Sequence, residues 1–270
     1  MTDKPMTHCR LASKRLGDDC TLTRYVRMTC VAAPKPKHHQ PRTPGPQLSF
    51  VEEGRTKFTK AVTSVAAMRT LLVSGHSNVK IGRDVRKGHF RGYWIYTLSL
   101  EERKTCPSSC AHWSDCYGNN MPFAKRVRHD DPAFLPRLER ELEELLAVRG
   151  RVGVLVRLHA LGDFYHPAYV DFWRDQLRKH ERLAIYGYTA HPWHSTIGQR
   201  LQLLADEFGR RAMIRNSDGD RSTMATVSVV SQDVRSPDAF ICPEQTGQTK
   251  CCATCGACWG TTKNVAFLAH

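Results

Sequence analysis

Residues 152–164 read Val-Gly-Val-Leu-Val-Arg-Leu-His-Ala-Leu-Gly-Asp-Phe. A strand is predicted over Val152–His159, and its opening run VGVLV (152–156) is apolar on consecutive rather than alternating positions. A strand with one wet face alternates; a strand covered on both faces, as in a parallel sheet, does not. The run then stops at Gly162-Asp163-Phe164, where a glycine and an acid replace the apolar side chains.

The same grammar repeats outward. Toward the C-terminus, helical periodicity over Ala168–Lys179 is followed by a strand at Leu183–Thr189, a helix at Thr196–Phe208, a strand at Ala212–Asn216 and another at Ala225–Val230. Toward the N-terminus, Gly92–Leu100 (GYWIYTLSL) reads as a strand. Asp131–Arg149 reads as a helix with Leu135, Leu138, Leu142, Leu145 and Leu146 on one stripe and Arg137/Glu141 and Arg140/Glu144 pairs on its wet face. The alternation predicts an α/β fold, either a partial (β/α) barrel or an open parallel sheet, with cysteine-rich metal-binding loops.

In such folds chemistry gathers where the strands end. The first predicted strand runs into Thr105-Cys106-Pro107-Ser108-Ser109-Cys110 and Cys116-Tyr117, and the second into Gly162-Asp163-Phe164. The third ends in Tyr188-Thr189 and the fourth in Asn216-Ser217-Asp218. Greasy strands with polar or ligating ends are more than a structural core needs.

Eleven cysteines are too many for an ordinary cytosolic chain. With no pattern of a secretory signal and no apolar stretch near the length of a membrane span, a cytoplasmic setting is expected, so metal ligation is favoured over disulfides. Cys106, Cys110 and Cys116 form C-x3-C-x5-C, a three-thiol set that leaves a coordination position open or is completed from elsewhere, by His112 or a distant cysteine. Near the C-terminus, Cys242-Pro243 precedes Cys251, Cys252, Cys255 and Cys258. The C-x2-C-x2-C run, with a remote Cys-Pro, resembles the ligand pattern of bacterial ferredoxin-type [4Fe-4S] clusters. A zinc site built on Cys242, Cys255, Cys258 and one of Cys251 or Cys252 remains open, as does one shared site across both groups. Cys9, Cys20 and Cys30 fit no ligand spacing.

The chain carries a net charge of +14. Residues 1–48 hold nine Lys or Arg against three Asp, a net of 9 − 3 = +6, and the proline-rich stretch 34–46 has little to bury. A loosely ordered basic arm at 1–48, an α/β core at 49–240 and a cysteine-cluster segment at 241–270 are expected. The excess charge attracts polyanions, so nucleic acid or a phosphorylated substrate is the expected partner class. His159, His166, His191 and His194 lie near strand ends, and His159 is the one considered for a metal or general-base role. Arg210, Arg211 and Arg215 are considered for phosphate, Phe172 and Trp173 for the core. Sequence alone assigns no catalytic residue, substrate or oligomeric state.

A strand, a three-cysteine loop and then β/α units are similar to the layout of radical S-adenosylmethionine enzymes, here with a longer second gap than that family's usual C-x3-C-x2-C. The resemblance implies that Cys106, Cys110 and Cys116 hold an iron–sulfur cluster and that Gly162-Asp163 receives the amino group of S-adenosylmethionine. It also implies that Thr189, Asn216 and Ser217 hold its ribose and carboxylate, and that Cys242, Cys252, Cys255 and Cys258 hold an auxiliary cluster. The TCP-x2-C…CY loop, the GDF segment and the terminal cysteines also resemble a cysteine-rich family of phage and mobile-element proteins. Three expectations therefore stand side by side: an iron–sulfur enzyme of that radical type, a zinc-stabilised nucleic-acid-binding protein, and a redox or electron-transfer cluster protein.

Overall fold

A computed structural model describes residues 49–149, 151–217, 224–229 and 238–268, with the side chains of 49 and 227–229 left out. The expected arm at 1–48, with Cys9, Cys20 and Cys30, lies outside the described residues, as do Asp218 and Val230.

In chain order the strands are β1 (Val62–Thr63), β2 (Val73–Ser74), β3 (Trp94–Thr97), β4 (Arg126–Val127), β5 (Val154–Leu158), β6 (Leu183–Thr189), β7 (Ala212–Ser217), β8 (Ala225–Val229), β9 (Ala239–Ile241) and β10 (Asn264–Leu268). The helices are α1 (Ser49–Glu52), α2 (Phe134–Arg149), α3 (Pro167–Lys179), α4 (Thr196–Phe208), α5 (Cys252–Cys255) and α6 (Ala257–Gly260). Eight strands form one sheet in the order β2-β3-β5-β6-β7-β8-β10-β9, and β1 pairs β4 in a separate parallel pair. Only β2 runs antiparallel to its neighbour; the other seven strands are parallel. The fold is thus mixed α/β with a mostly parallel sheet, and no pairing closes that sheet into a barrel among the described residues. None of the helices there is long and apolar enough to cross a membrane.

The consecutive apolar run of β5 has the expected cause: both faces are covered. Val154, Val156 and Leu158 pack with Leu138 and Leu142 of α2, Tyr169 and Trp173 of α3 and Leu201 and Leu204 of α4. Trp173 is fully buried; truncation to Ala would cost about 3–5 kcal/mol. The opposite face of the sheet, including Ile95, Leu155 and Tyr186, is covered by the segment Ile81–Phe90 and by Ala253, Cys258 and Trp259 of the cysteine-rich segment. The long helices therefore share one face, and the terminal cysteines cover the other.

Local signals set the helix ends. Pro167 occupies the first turn of α3, where a missing N–H costs nothing, and the His166 ring accepts from Ala168 N at 3.1 Å. The Ser195 hydroxyl accepts from Gly198 N at 3.0 Å and starts α4. The Arg137–Glu141 pair forms at 3.1 Å, but not on a wet face. Glu141 is buried because its carboxylate also accepts from Leu71 N and Leu72 N, so the helix straps the N-terminal segment down through backbone donors. The segment from 241 onward is built into the sheet, since β10 lies between β8 and β9.

Candidate metal centre

β3 delivers its chain into a loop fixed by two buried charges. Arg126 donates to Glu102 from Nε at 2.8 Å and from Nη2 at 2.9 Å, and it reaches the carbonyls of Gly118, Met121 and Ala124. Arg103 spans the loop from the other side, donating to Trp113 O at 2.7 Å, Asn119 Oδ1 at 2.8 Å and Arg55 O at 3.2 Å. Cys106, Cys110 and Cys116 are carried between these anchors.

The same loop is tied to the end of β5. Thr105 Oγ1 donates to Glu101 O at 2.9 Å and accepts from Asp163 N at 3.1 Å. Gly162 has φ +85°, and a Cβ there would stand 2.6 Å from Thr105 Oγ1, so only glycine lets the two loops meet. Both Asp163 oxygens are used: Oδ1 accepts from Phe164 N and Oδ2 from Ala190 N, each at 2.7 Å. Burial nevertheless pushes its carboxyl up to about 6, against the lowering effects of His191 and of these N–H groups.

The terminal cysteines are positioned from three directions. Cys242 N donates to Ala266 O of β10. Cys252 N and Ala253 N donate to Lys80 O and Ile81 O, each at 2.8 Å. Arg215, fully buried on β7, donates to the carbonyls of Ala257, Cys258, Thr261 and Lys263. It therefore holds the α6 turn in place and is not free to take a phosphate. Arg211 does the same for the end of α3, donating to Leu177 O and His180 O.

These anchors bring the two cysteine groups to one cavity of about 290 Å³ at the C-terminal ends of the parallel strands. Cys106, Cys110 and Cys116 line one side and Cys242, Cys252 and Cys258 another, with Gly162, Asp163 and Ser217 between them. Thr189 and Asn216 do not line it. Thr189 Oγ1 accepts from His191 N and Asn216 Nδ2 donates to His191 O, so both brace the loop after β6. A second, much smaller space of about 10 Å³ is surrounded by Cys242, Cys252, Cys255 and Cys258. Cys251 lines neither; its sulfur lies 3.7 Å from Thr254 Oγ1.

None of the eight described cysteines is in a disulfide. Burial raises the thiols: Cys106 goes well up, Cys116 to about 11 and Cys252 to about 12, so each must lose a proton when it ligates metal. Among the described residues, no three Cys, His, Asp or Glu side chains stand at metal-holding distance as placed. Seven thiols line the two spaces, Cys242, Cys252 and Cys258 lining both, and thiols are the donor type that soft metals and iron–sulfur clusters take.

His112 lines the cavity beside the first cysteine group, with Nδ1 3.5 Å from Asp115. His159 faces the helices instead. It bonds the Tyr169 hydroxyl at 2.9 Å, lies outside the cavity lining, and burial lowers its pKa to about 3. His191 bonds Phe164 O at 2.7 Å, His166 caps α3, and His194 is exposed.

Two further residues line the cavity: Tyr188, quoted above at the end of a predicted strand, and Arg157, which the sequence reading did not single out. Tyr188 donates to Cys258 Sγ at 2.9 Å, and the Arg157 guanidinium lies 5.6 Å from the centre of the Tyr188 ring. The signal for Arg157 was available: it is the one charge in a strand otherwise built to be covered on both faces.

A family model described as gene product 88 matches residues 67–261, over two thirds of the chain and the whole span from the first cavity cysteine to the last. That match agrees with the phage-type resemblance of the cysteine loop and GDF segment. No curated protein and no solved structure matches the chain.

Proposed function

We propose, for a chain that belongs to the gene product 88 family, an iron–sulfur protein whose cavity works as a radical S-adenosylmethionine-like site on a phosphate-bearing or nucleic-acid substrate. One observation carries the reading: the cysteine loop after the first parallel strand and the Gly-Asp end of the second open together into one cavity. Cys106, Cys110 and Cys116 would hold a [4Fe-4S] cluster with one position left open, and Gly162, Asp163 and Ser217 would meet S-adenosylmethionine beside it. When bound, such a cluster supplies an electron to the cofactor's sulfonium.

The chain's own contribution is placement. The Arg126–Glu102 fork and the Thr105 hydroxyl hold the thiols against Gly162-Asp163, and Asp163 ties the ends of β5 and β6 together. Thr189 and Asn216 support the cofactor wall through the loop that carries His191.

For the terminal group a zinc reading has its own support. Cys242, Cys252, Cys255 and Cys258 all line one small space, and four thiols are the donor set of a single tetrahedral ion that would hold the α5–α6 segment. A protein with zinc there and no iron would be a zinc-stabilised nucleic-acid binder; iron without cofactor chemistry would make it an electron-transfer protein.

Anaerobic reconstitution with iron and sulfide, followed by metal and sulfide counts, decides among these. The proposal expects a brown protein that forms 5′-deoxyadenosine from S-adenosylmethionine when reduced, with both colour and product lost in Cys110→Ser. A colourless protein holding only zinc overturns it.

A further inference from the structure

Arg157 sits in the β5 strand with Thr97 of β3 and Tyr186 of β6 as its registered neighbours, and its side chain enters the cavity wall. Among the described residues no carboxylate lies within ion-pair distance of it. Its Nε is buried and has no hydrogen-bond partner. The Tyr186 hydroxyl, on the adjacent strand, is a second buried donor without an acceptor. The surroundings are phenol rings and thiols: the cation lies over the Tyr188 face, and Cys252 and Cys258 line the same cavity.

A cation drawn out of water with no counter-charge weakens a fold, and a guanidinium presents a rigid fork of donors that matches carboxylate or phosphate oxygens. Arg157 is half-buried, and the fully buried arginines differ from it in their partners. Arg126 has Glu102, Arg103 has Asn119 and two carbonyls, and Arg215 has four carbonyls. Only Arg157 of these four faces the cavity, where the hydroxyl-bearing residues Ser217 and Thr226 also line the wall. The cavity, at about 290 Å³, is at the small end of ligand pockets.

We infer that Arg157 is the recognition residue for the oxyanion of a small ligand, a phosphate or carboxylate group, taken up between the two cysteine groups. This names the substrate class for the cavity described above. It rests on that cavity and not on the metal.

The test uses the full chain, as purified and after metal loading, with inorganic phosphate and acetate as probes in titration calorimetry and thermal melting. Arg157→Met should raise the ligand-free melting temperature by about 2 °C or more, because an apolar side chain of similar length removes a desolvated charge. The same variant should weaken phosphate or acetate binding at least tenfold, while Arg157→Lys keeps part of it. Arg91→Gln, an exposed charge, should change neither. Whichever probe binds more tightly identifies the group. If Arg157→Met melts lower and binds both probes as well as the parent, the arginine is structural and the inference fails. If the parent binds the probes only without metal, Arg157 serves as counter-charge to the metal-bound thiolates, and the inference also fails. A chain that takes up no metal but binds phosphate through Arg157 would sink the iron–sulfur reading alone.

Discussion

Glu102 and Arg126 meet in a two-pronged ion pair with both side chains at most 1 % exposed, and the chain between them contains all three cysteines of the first group. A pair in that position determines whether the cysteine loop has one shape.

Glu102→Gln leaves the Arg126 charge buried without its partner, and should destabilise the protein by roughly 3–5 kcal/mol in denaturant unfolding. Burial alone would raise the Glu102 pKa, but the hydrogen bonds from Arg126 and Thr56 outweigh it and hold the value below the usual carboxylate range. A depressed folded pKa adds stability above the unfolded value of about 4.3, lost as pH falls through the folded value. Melting temperature against pH should therefore drop below about pH 4 in the parent, with a shallower drop in Glu102→Gln. Equal acid profiles would show that the pair contributes nothing.

Arg215→Ala should detach the α6 turn. Four carbonyl acceptors lose a buried donor, a loss of about 3 kcal/mol or more when each unmade bond costs 1–3 kcal/mol. On the proposed metal reading, the variant should release metal bound at Cys242, Cys252, Cys255 and Cys258 before any bound at the first group, which metal counting after mild chelation reads directly. Loss of both metals together would contradict the separate anchoring.

His159 should make the fold acid-sensitive through burial alone, without a metal. Its folded pKa lies near 3 against about 6.5 unfolded, so the unfolded chain takes up a proton first and stability falls as pH drops from 6.5 toward 3. His159→Phe fits among Phe164 and Tyr169 and should flatten the melting curve in that window without changing metal content. Metal loss in this variant would assign His159 to the site.

Removing residues 1–48 takes away a net +6 of +14. Each phosphate contact adds about 0.9 to the slope of log affinity against log salt on duplex DNA. The shortened chain should show a measurably shallower slope in salt-titrated nucleic-acid binding. An unchanged slope would place all contacts on the core.

The middle of the fold was legible because its signals are local. Leu183–Thr189 and Thr196–Phe208 appear with the expected bounds, since a buried strand and an amphipathic helix with a serine cap each declare themselves within a dozen residues. β9 and β10 were not legible. Five residues, Asn264–Leu268, form a strand only because β8 and β9 flank them, and parallel neighbours distant in sequence leave no local trace. The meeting of the two cysteine groups at one cavity depends on that threading, so sequence could leave a shared site open but could not place it. Arg157 shows the complementary failure: a lone charge inside the predicted strand Val152–His159, it has a signal in plain sequence that the apolar run VGVLV beside it overshadows.

The position of β10 inside β9 has a consequence for synthesis. β9 is made before β10, yet its described partner in the sheet is β10, while β8 waits with one edge open for the same strand. Until residue 268 has left the ribosome, β8 presents an unpaired edge and the cavity lacks the part of its wall made by Phe267 and Leu268. A chain halted anywhere between 241 and 264 would therefore carry a sticky edge into the cell, and the cavity closes only with translation of the last strand.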